Sequence, residues 1–386
     1  MVETSGIGHM SEPIEIHIYE KNLTKEKKKH IDIYFREKKI VNQFLWNKWK
    51  KILLVKLDYK IFRYLFKIIF LEAVKRDNQR VLIPFRHHPK YFSDEKKKIF
   101  QKKFGQWQQH DIYDLLEKNK NVIQFKNSEI KRGIELLSYF NINKNDQIVL
   151  LCVRDPVYRI KLRNNYVQEN DVIYSNRDSK ISDFEKLAQY LCQKNYKVIR
   201  MGNLAHEKIN YDHPNLIDYA FAKNKSDFLD LFLFYVSNIV ISTGTGLDAL
   251  SSLFRKKRIY INCGEFSSFN QKLNENISYI FPKRIIKKSD KKELDLIELF
   301  ENNINKIETK DDARYNDFIF KSLDHIEMIE AFELMENHVK KGYSKNYLSK
   351  NQRVNKYLRE RFNTNTHIYW SPKYLENAYK KLFGDT

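Results

Sequence analysis

Between about Asp146 and Asn262, short apolar runs alternate with stretches of helical spacing, and this alternation restricts the possible folds more than any other feature of the chain. QIVLLCV (Gln147 to Val153), YKVIRM (Tyr196 to Met201), NLIDYA (Asn215 to Ala220), NIVIS (Asn238 to Ser242) and RIYIN (Arg258 to Asn262) have strand length. SDFEKLAQYLCQKN (Ser182 to Asn195), which opens on a Ser cap, SDFLDLFLFYVS (Ser226 to Ser237) and GLDALSSLF (Gly246 to Phe254) read as the intervening helices. Apolar strands separated by helices imply βαβ units and a parallel sheet covered on both faces.

The chain has only 10 glycines in 386 residues, yet Gly244 and Gly246 stand two positions apart directly behind NIVIS. A strand, then Thr243-Gly244-Thr245-Gly246, then a helix points backbone N–H groups into the space beyond the carboxyl ends of the strands. Glycine allows close backbone approach and positive φ, and the Thr hydroxyls add donors, so the loop reads as a phosphate cradle, with an ordinary tight turn as the competing reading. It is neither Gly-x-Gly-x-x-Gly nor a Walker loop, since no Gly-Lys-Ser/Thr follows.

The other strand ends favour a ligand. VRDPVYR places Arg154, Asp155, Tyr158 and Arg159 behind the first strand, IRMGN places Arg200 and Gly202 behind the second, and IDYA places Asp218 and Tyr219 at the end of the third. Successive strands ending in polar, charged or Gly-rich residues on one edge make a site. Guanidinium groups bind diphosphate oxygens bidentately. Tyr158 or Tyr219 is placed to stack a base or sugar, and Asp155 or Asp218 to accept from hydroxyls; an Arg154–Asp155 pair that only holds its loop is the plainer alternative. No Asp-x-Asp with apolar flanks and no His/Cys/Asp grouping of ligand spacing is present, so no metal and no cofactor is expected.

The length exceeds the ~250–300 residues of a usual single core, so two domains are expected. Hydrophobic residues at 42% and aromatics at 14% suffice for packed cores. Seventy Lys and Arg against 49 Asp and Glu leave +21. Such a surplus seeks anions, but it is spread over the whole chain without an RNP signature or zinc-finger spacing, so nucleic acid is not the expected partner. Cys152, Cys192 and Cys263 are odd in number and far apart, which fits a reducing cytoplasm. The opening MVETSGIGHM reads as an appended tail ending at Met10 and is set aside.

The stretch from Lys50 to Arg76 carries too many charges for a spanning helix, which needs about 20 largely uncharged residues. It reads as a strand KILLVKL followed by an amphipathic helix, with a basic-aromatic helix on anionic lipid as the rival. RVLIPFRHHP (Arg80 to Pro89) reads as a strand entering a polar loop, in which at most one of His87 and His88 faces a cleft. Beyond Asp311 the pattern is mostly helical.

The segments CVRDPVY, NRDSKI, YKVIRMG, IDYA, KSDFLDLFL and STGTGLDALSSLF followed by YIN resemble, in order and spacing, a family of bacterial glycosyltransferases associated with surface-polysaccharide biosynthesis. The resemblance covers roughly 127–262 and extends weakly to IEMIEAFELM (Ile326 to Met335). The Arg-x-x-x-Tyr loop at Arg154 is also similar, more distantly, to the arginine loop of fucosyltransferase-like enzymes. The resemblance implies an α/β, GT-B-like architecture with two Rossmann-like domains facing across a cleft. Residues 11–140 then form the acceptor-side domain, 141–310 the nucleotide-sugar domain, and 311–386 a helical segment bracing the two.

It further implies metal-independent transfer from a nucleotide sugar to a glycan or lipid-linked acceptor at the inner face of the membrane. Arg154, Arg177 or Arg200, with the loop N–H groups, would stabilise the departing diphosphate. Asp155 would be the base, with Asp178, Asp218 and Glu265 as rivals. Tyr158, Arg177, Arg200, Gly202, Asp218, Tyr219, Thr243, Gly244, Thr245 and Gly246 would contact the donor. Departures stand at Cys152, where the family pattern has His, at Asp178 for Asn, Lys180 for Asp, and Gly244-Thr245 for Ser-Ser. A catalytically silent nucleotide-sugar binder, or a basic nucleic-acid-binding protein, remains the alternative.

Overall fold

The computed structural model describes residues 2, 4–23, 34, 36, 39–53, 64–65, 68–69, 115–157, 176–264, 277–304, 307, 313–362 and 368–384. Six strands, β1 (Ile148–Cys152), β2 (Lys197–Arg200), β3 (Leu216–Asp218), β4 (Ile239–Ser242), β5 (Lys257–Cys263) and β6 (Ile277–Pro282), form one sheet in the order β3-β2-β1-β4-β5-β6. All five pairings are parallel. This is the doubly wound α/β order, in which the direction of winding reverses between β1 and β4 and opens a crevice at their carboxyl ends. Two further strands, β7 (Arg284–Lys287) and β8 (Phe318–Lys321), make a separate antiparallel pair.

In chain order the helices are α1 (Glu12–Leu23), α2 (Gln43–Ile52), α3 (Leu115–Lys118), α4 (Asn127–Ser138), α5 (Glu185–Gln193), α6 (Asp227–Val236), α7 (Ala249–Leu253), α8 (Leu296–Glu301), α9 (His325–Lys341), α10 (Lys345–Phe362) and α11 (Pro372–Phe383). The sheet separates two cores because strand side chains alternate in direction. In β1, Ile148, Leu150 and Cys152 enter the core shared with α1, α2, α4 and α6, whereas Val149 and Leu151 face α5 and α9. α6 starts where Ser226 Oγ accepts the Leu229 N–H, and it buries Phe228, Leu229, Leu231, Phe232, Leu233 and Phe234. It is apolar almost all round because it lies between the sheet and a further layer of helices.

Several expectations change. The N-terminal tail belongs to the fold: Val2 and Met10 are fully buried, and the Trp49 indole N–H donates to the Met10 carbonyl at 2.7 Å. Nothing in the periodicity of MVETSGIGHM announces this, because the segment is a loop packed by non-local contacts. The strand expected at KILLVKL does not start there, since Lys51 and Ile52 finish α2 and Leu53 caps it. Leu45, Trp46 and Trp49 give that helix one buried face, and Asn42 Oδ1 accepts the Leu45 N–H at its start. The rest of that stretch, and RVLIPFRHHP with His87 and His88, lie outside the described residues, apart from exposed helical Tyr64, Leu65, Ile68 and Ile69.

The boundary expected at 310 crosses one folded unit, because β7 pairs with β8 across it and Leu296, Ile297, Leu299 and Phe300 share a core with Val354, Leu358, Trp370 and Leu375. The C-terminal helices therefore pack on the sheet: α9 covers β5 and β6 beside α5, and α10 and α11 enclose α8. Among the described residues no helix is long and apolar enough to cross a membrane.

Candidate functional site

A cavity of about 550 Å³ opens at the carboxyl ends of β1 and β4, at the point where the winding reverses. Its sheet-side wall comes from Val153, Arg154 and Asp155 behind β1, from Gly202, Asn203 and Leu204 behind β2, and from Thr245, Gly246 and Leu247 behind β4, with Arg177 and Asp230. The lining is completed by the N-terminal loop Ser5 to His9 together with Val41.

Arg154 lies where the loops meet. Its backbone N–H donates to Thr243 Oγ1 at 2.9 Å and its carbonyl accepts from Ser179 N at 3.0 Å. Its Nε donates to Asp178 Oδ1 at 3.2 Å, and its Nη1 reaches the Gly244 carbonyl at 3.2 Å. Arg177 Nη2 donates to the same carbonyl at 3.1 Å. Two guanidinium groups thus converge on one backbone oxygen at the edge of the cavity. Asp178 offsets part of their charge, and Lys283 donates to the Asp178 carbonyl from a buried position. Burial pushes the Lys283 amine down to about 8, against the pull of Asp178 and Asp183.

The Gly-rich loop has a different structure from an open phosphate cradle. Gly244 takes φ +87°, the left-handed region that favours glycine. Thr243 N donates to Cys152 O, Gly244 N to Ser242 Oγ, Thr245 N to Asp248 Oδ2 and Leu247 N to Thr245 Oγ1, all between 3.0 and 3.1 Å. Those N–H groups are committed to β1 and to the loop and its helix start. Positive charge for an anion therefore comes from Arg154 and Arg177, while Thr245 and Gly246 supply wall and Thr243 and Gly244 hold the arginines in place.

Arg200, Asp218 and Tyr219 form framework behind the wall. Arg200 is 1% exposed; its Nη1 donates to Glu207 O at 2.6 Å and to Asp218 Oδ2 at 3.2 Å, and its Nη2 lies 3.8 Å from Asp155 Oδ2. The parallel register pairs Arg200 with Asp218 on neighbouring strands, which puts both side chains on one face. Asp155 accepts from Val157 N at 2.9 Å and His206 N at 2.7 Å, and Asp218 accepts from Ile209 N at 3.0 Å. One buried cation thereby ties together the segments behind β1, β2 and β3. Asp155 still reaches the cavity, but both of its carboxylate oxygens hold loop backbone.

Tyr219, expected as a stacking surface, is 1% exposed in the core, and its hydroxyl donates to Asp230 Oδ1 at 2.9 Å. Burial, and then the neighbouring Asp230, push the Tyr219 phenol well up. Asp230 faces the cavity, and burial pushes its carboxyl up to about 6 despite the Tyr219 hydrogen bond. Tyr158, Arg159 and Glu265 lie outside the described residues.

Sequence reasoning missed Asp230 and the whole N-terminal wall. Asp230 sits in an apolar helix one turn after its cap, where an Asp reads as an ordinary first-turn residue. The N-terminal wall did carry a signal: Gly6-x-Gly8 just before α1 repeats the pattern of Gly244-x-Gly246 before its helix. The two loops touch, since a Cβ on Gly8 would lie 3.1 Å from the Gly246 carbonyl oxygen and 3.2 Å from its Cα. The loop is anchored by Val41 N donating to Thr4 O at 2.9 Å and by Ser11 Oγ donating to Ile7 O at 2.6 Å.

Fold and site together define a doubly wound α/β protein with a crevice at its switch point, lined by Arg154 and Arg177 and by Asp155 and Asp230. Comparison with protein-family models, curated proteins and solved structures finds no match. The functional reading therefore rests on the site.

Proposed function

We propose that the cavity binds a nucleotide sugar and that the protein is a metal-independent glycosyltransferase acting on a surface glycan or a lipid-linked acceptor. The observation that carries this reading is the convergence of Arg154 and Arg177 on the Gly244 carbonyl at the cavity edge, at the switch point between β1 and β4. Paired guanidinium groups match the charge and geometry of a diphosphate, and permanent positive charge is what a departing diphosphate needs in the transition state. A cavity of about 550 Å³ falls within the range of small-molecule sites, roughly 300–1,000 Å³. In this reading the sheet, with α1 and α2 packed into its core, belongs to the donor half of a GT-B-type enzyme, and the protein works in the cytoplasm. Tyr64, Leu65, Ile68 and Ile69, exposed beside Lys60, Arg63 and Lys67 in the sequence, suit peripheral contact with an anionic membrane surface.

The silent-binder alternative drew on Cys152 standing where the family pattern has His. The Cys152 thiol is 1% exposed and belongs to the core under the sheet, where burial pushes it well up. Its presence therefore removes no imidazole from the cavity wall, which favours an active enzyme.

Thermal-shift measurements against UDP, GDP, CMP and ADP and their sugar conjugates, with and without EDTA, test the reading. At about 100 times Kd, binding adds about 2.7 kcal/mol to the folded state. A shift with one nucleotide class that survives EDTA and disappears in Arg177→Ala and Arg154→Ala is the expected result. No shift with any nucleotide, alongside salt-sensitive binding to RNA or DNA, refutes it.

A further inference from the structure

We propose that Lys283 is a positioning residue for phosphate binding, holding the segment that carries Arg177 and Asp178 and supplying it with positive charge from behind; this rests on the reading of the cavity as a nucleotide site. Lys283 lies between β6 and β7 and is 6% exposed, and its backbone N–H donates to the Cys263 carbonyl at 3.3 Å. Its Nζ donates to the Asp178 carbonyl. The same segment is fixed at two further points. Asn176, 1% exposed, donates from Nδ2 to the carbonyls of Gly264 and Ile307, and Ser179 N donates to the Arg154 carbonyl at 3.0 Å. A Cβ at Gly264 would come within 2.1 Å of the Asn176 carbonyl oxygen and 2.7 Å of Arg177 N. Glycine directly behind β5 is therefore what lets the segment pass there.

A hydrogen bond to a carbonyl does not by itself require a lysine. A neutral amide would donate as well, and a buried ammonium is costly unless it faces opposite charge. The groups around Lys283 account for its charge. Asp178, whose Oδ1 accepts from Arg154 Nε at 3.2 Å, and Asp183, which accepts from Ser322 Oγ at 2.7 Å, both favour the protonated amine, as does Cys263. Tyr315 also faces Asp178, and burial followed by that carboxylate pushes its phenol up, so it stays neutral. Arg284, next in sequence, is paired with Glu293 at 2.7 Å. Arg154 and Arg177 set against Asp178 and Asp183 leave no surplus on this segment; Lys283 supplies it.

Burial brings the Lys283 amine down to about 8, so its charge is present at neutral pH and lost by pH 9. A phosphate held by Arg154 and Arg177 favours the protonated amine by the same factor by which that charge favours the phosphate. One charge roughly 10 Å from the phosphate, at an effective dielectric constant of about 20, amounts to about 10–20-fold in affinity. Nucleotide binding should therefore weaken as Lys283 loses its proton, and should take up a proton when it occurs near pH 8.

The test measures binding of UDP, GDP, CMP and ADP to full-length wild type and Lys283→Gln by isothermal titration calorimetry at pH 7 and pH 9. Glutamine keeps a donor for the Asp178 carbonyl and removes the charge. Titration of the ligand, of Asp155 and of Asp230 is common to both proteins and cancels in the ratio of their affinities. The expected result is binding about 10–20-fold weaker in the variant at pH 7 and within about threefold of wild type at pH 9. A ratio that is the same at both pH values marks a purely structural role and overturns the proposal, and so does a variant that binds like wild type at pH 7. Where Lys283→Gln does not fold, wild type decides alone. Titrations at pH 8 in buffers of different ionisation heat should show uptake of about 0.4 proton per nucleotide bound, and no uptake overturns the proposal. Binding that is indifferent to Lys283 leaves the nucleotide reading standing. If wild type binds none of the four nucleotides, that reading falls first and takes this proposal with it.

Discussion

Replacing Asp230 by Asn should stabilise the protein, and by an amount that depends on pH. The carboxyl sits on the cavity wall with Tyr219 donating to it, and burial raises it from an ordinary 3.8 to about 6. A gap of about 2 pH units at 1.36 kcal/mol each gives about 3 kcal/mol, an upper bound because the wall is partly open to water. An acid raised on folding costs nothing below its unfolded value, since both states are then protonated. The penalty grows from about pH 4 to pH 6, where the unfolded chain releases the proton and the folded chain keeps it, and is constant above that range. Asn stays neutral, and its amide oxygen still accepts the Tyr219 hydroxyl. The variant should therefore match wild type near pH 4 and melt about 6 °C higher at pH 8, at roughly 2 °C per kcal/mol for a large domain. Differential scanning fluorimetry at pH 4.5, 6 and 8 reads this directly. A difference that does not change with pH, or a variant less stable than wild type at pH 8, refutes the argument.

Arg200→Ala leaves Asp155 and Asp218 without their shared cation and should cost about 3–5 kcal/mol, read as a lower urea midpoint. Gly133→Ala puts a methyl group 2.2 Å from Phe232 Cζ at the α4–α6 contact; overpacking of this kind costs about 1–3 kcal/mol, and thermal denaturation should show it. Deleting residues 1–11 should be strongly destabilising, because buried Val2 and Met10 contribute about 1.5–3 kcal/mol each and the Trp49 indole loses its acceptor. A truncated protein that melts like wild type would show that this segment is not part of the folded unit.

The sheet was legible because its strands are short, apolar and separated by capped helices. β1, β2, β4 and β5 lie within the expected runs or one residue beyond them, and Ser226 caps α6 as its position suggests. β7 and β8 were not legible. RIIK and FIFK sit among lysines and near Pro282, and each reads as strand only once the other is beside it. The site was legible as an edge but not as a wall. Arg154, Asp155, Arg177, Gly202, Thr245 and Gly246 reach the cavity, whereas Arg200 and Tyr219, of equally suitable type, are buried.

By itself the sequence determined the alternation of strand and helix, the edge on which polar residues gather, and the turn at Gly244, since these depend on period, capping and φ within a few residues. Only the tertiary structure decided which arginines face the ligand and which are enclosed, and that the loop from Ser5 to His9 closes the crevice against Gly246. The physical reason is that a charged side chain is buried or exposed according to the partner brought to it. Asp218 reaches Arg200 through strand pairing, and Gly8 reaches Gly246 from the far end of the chain.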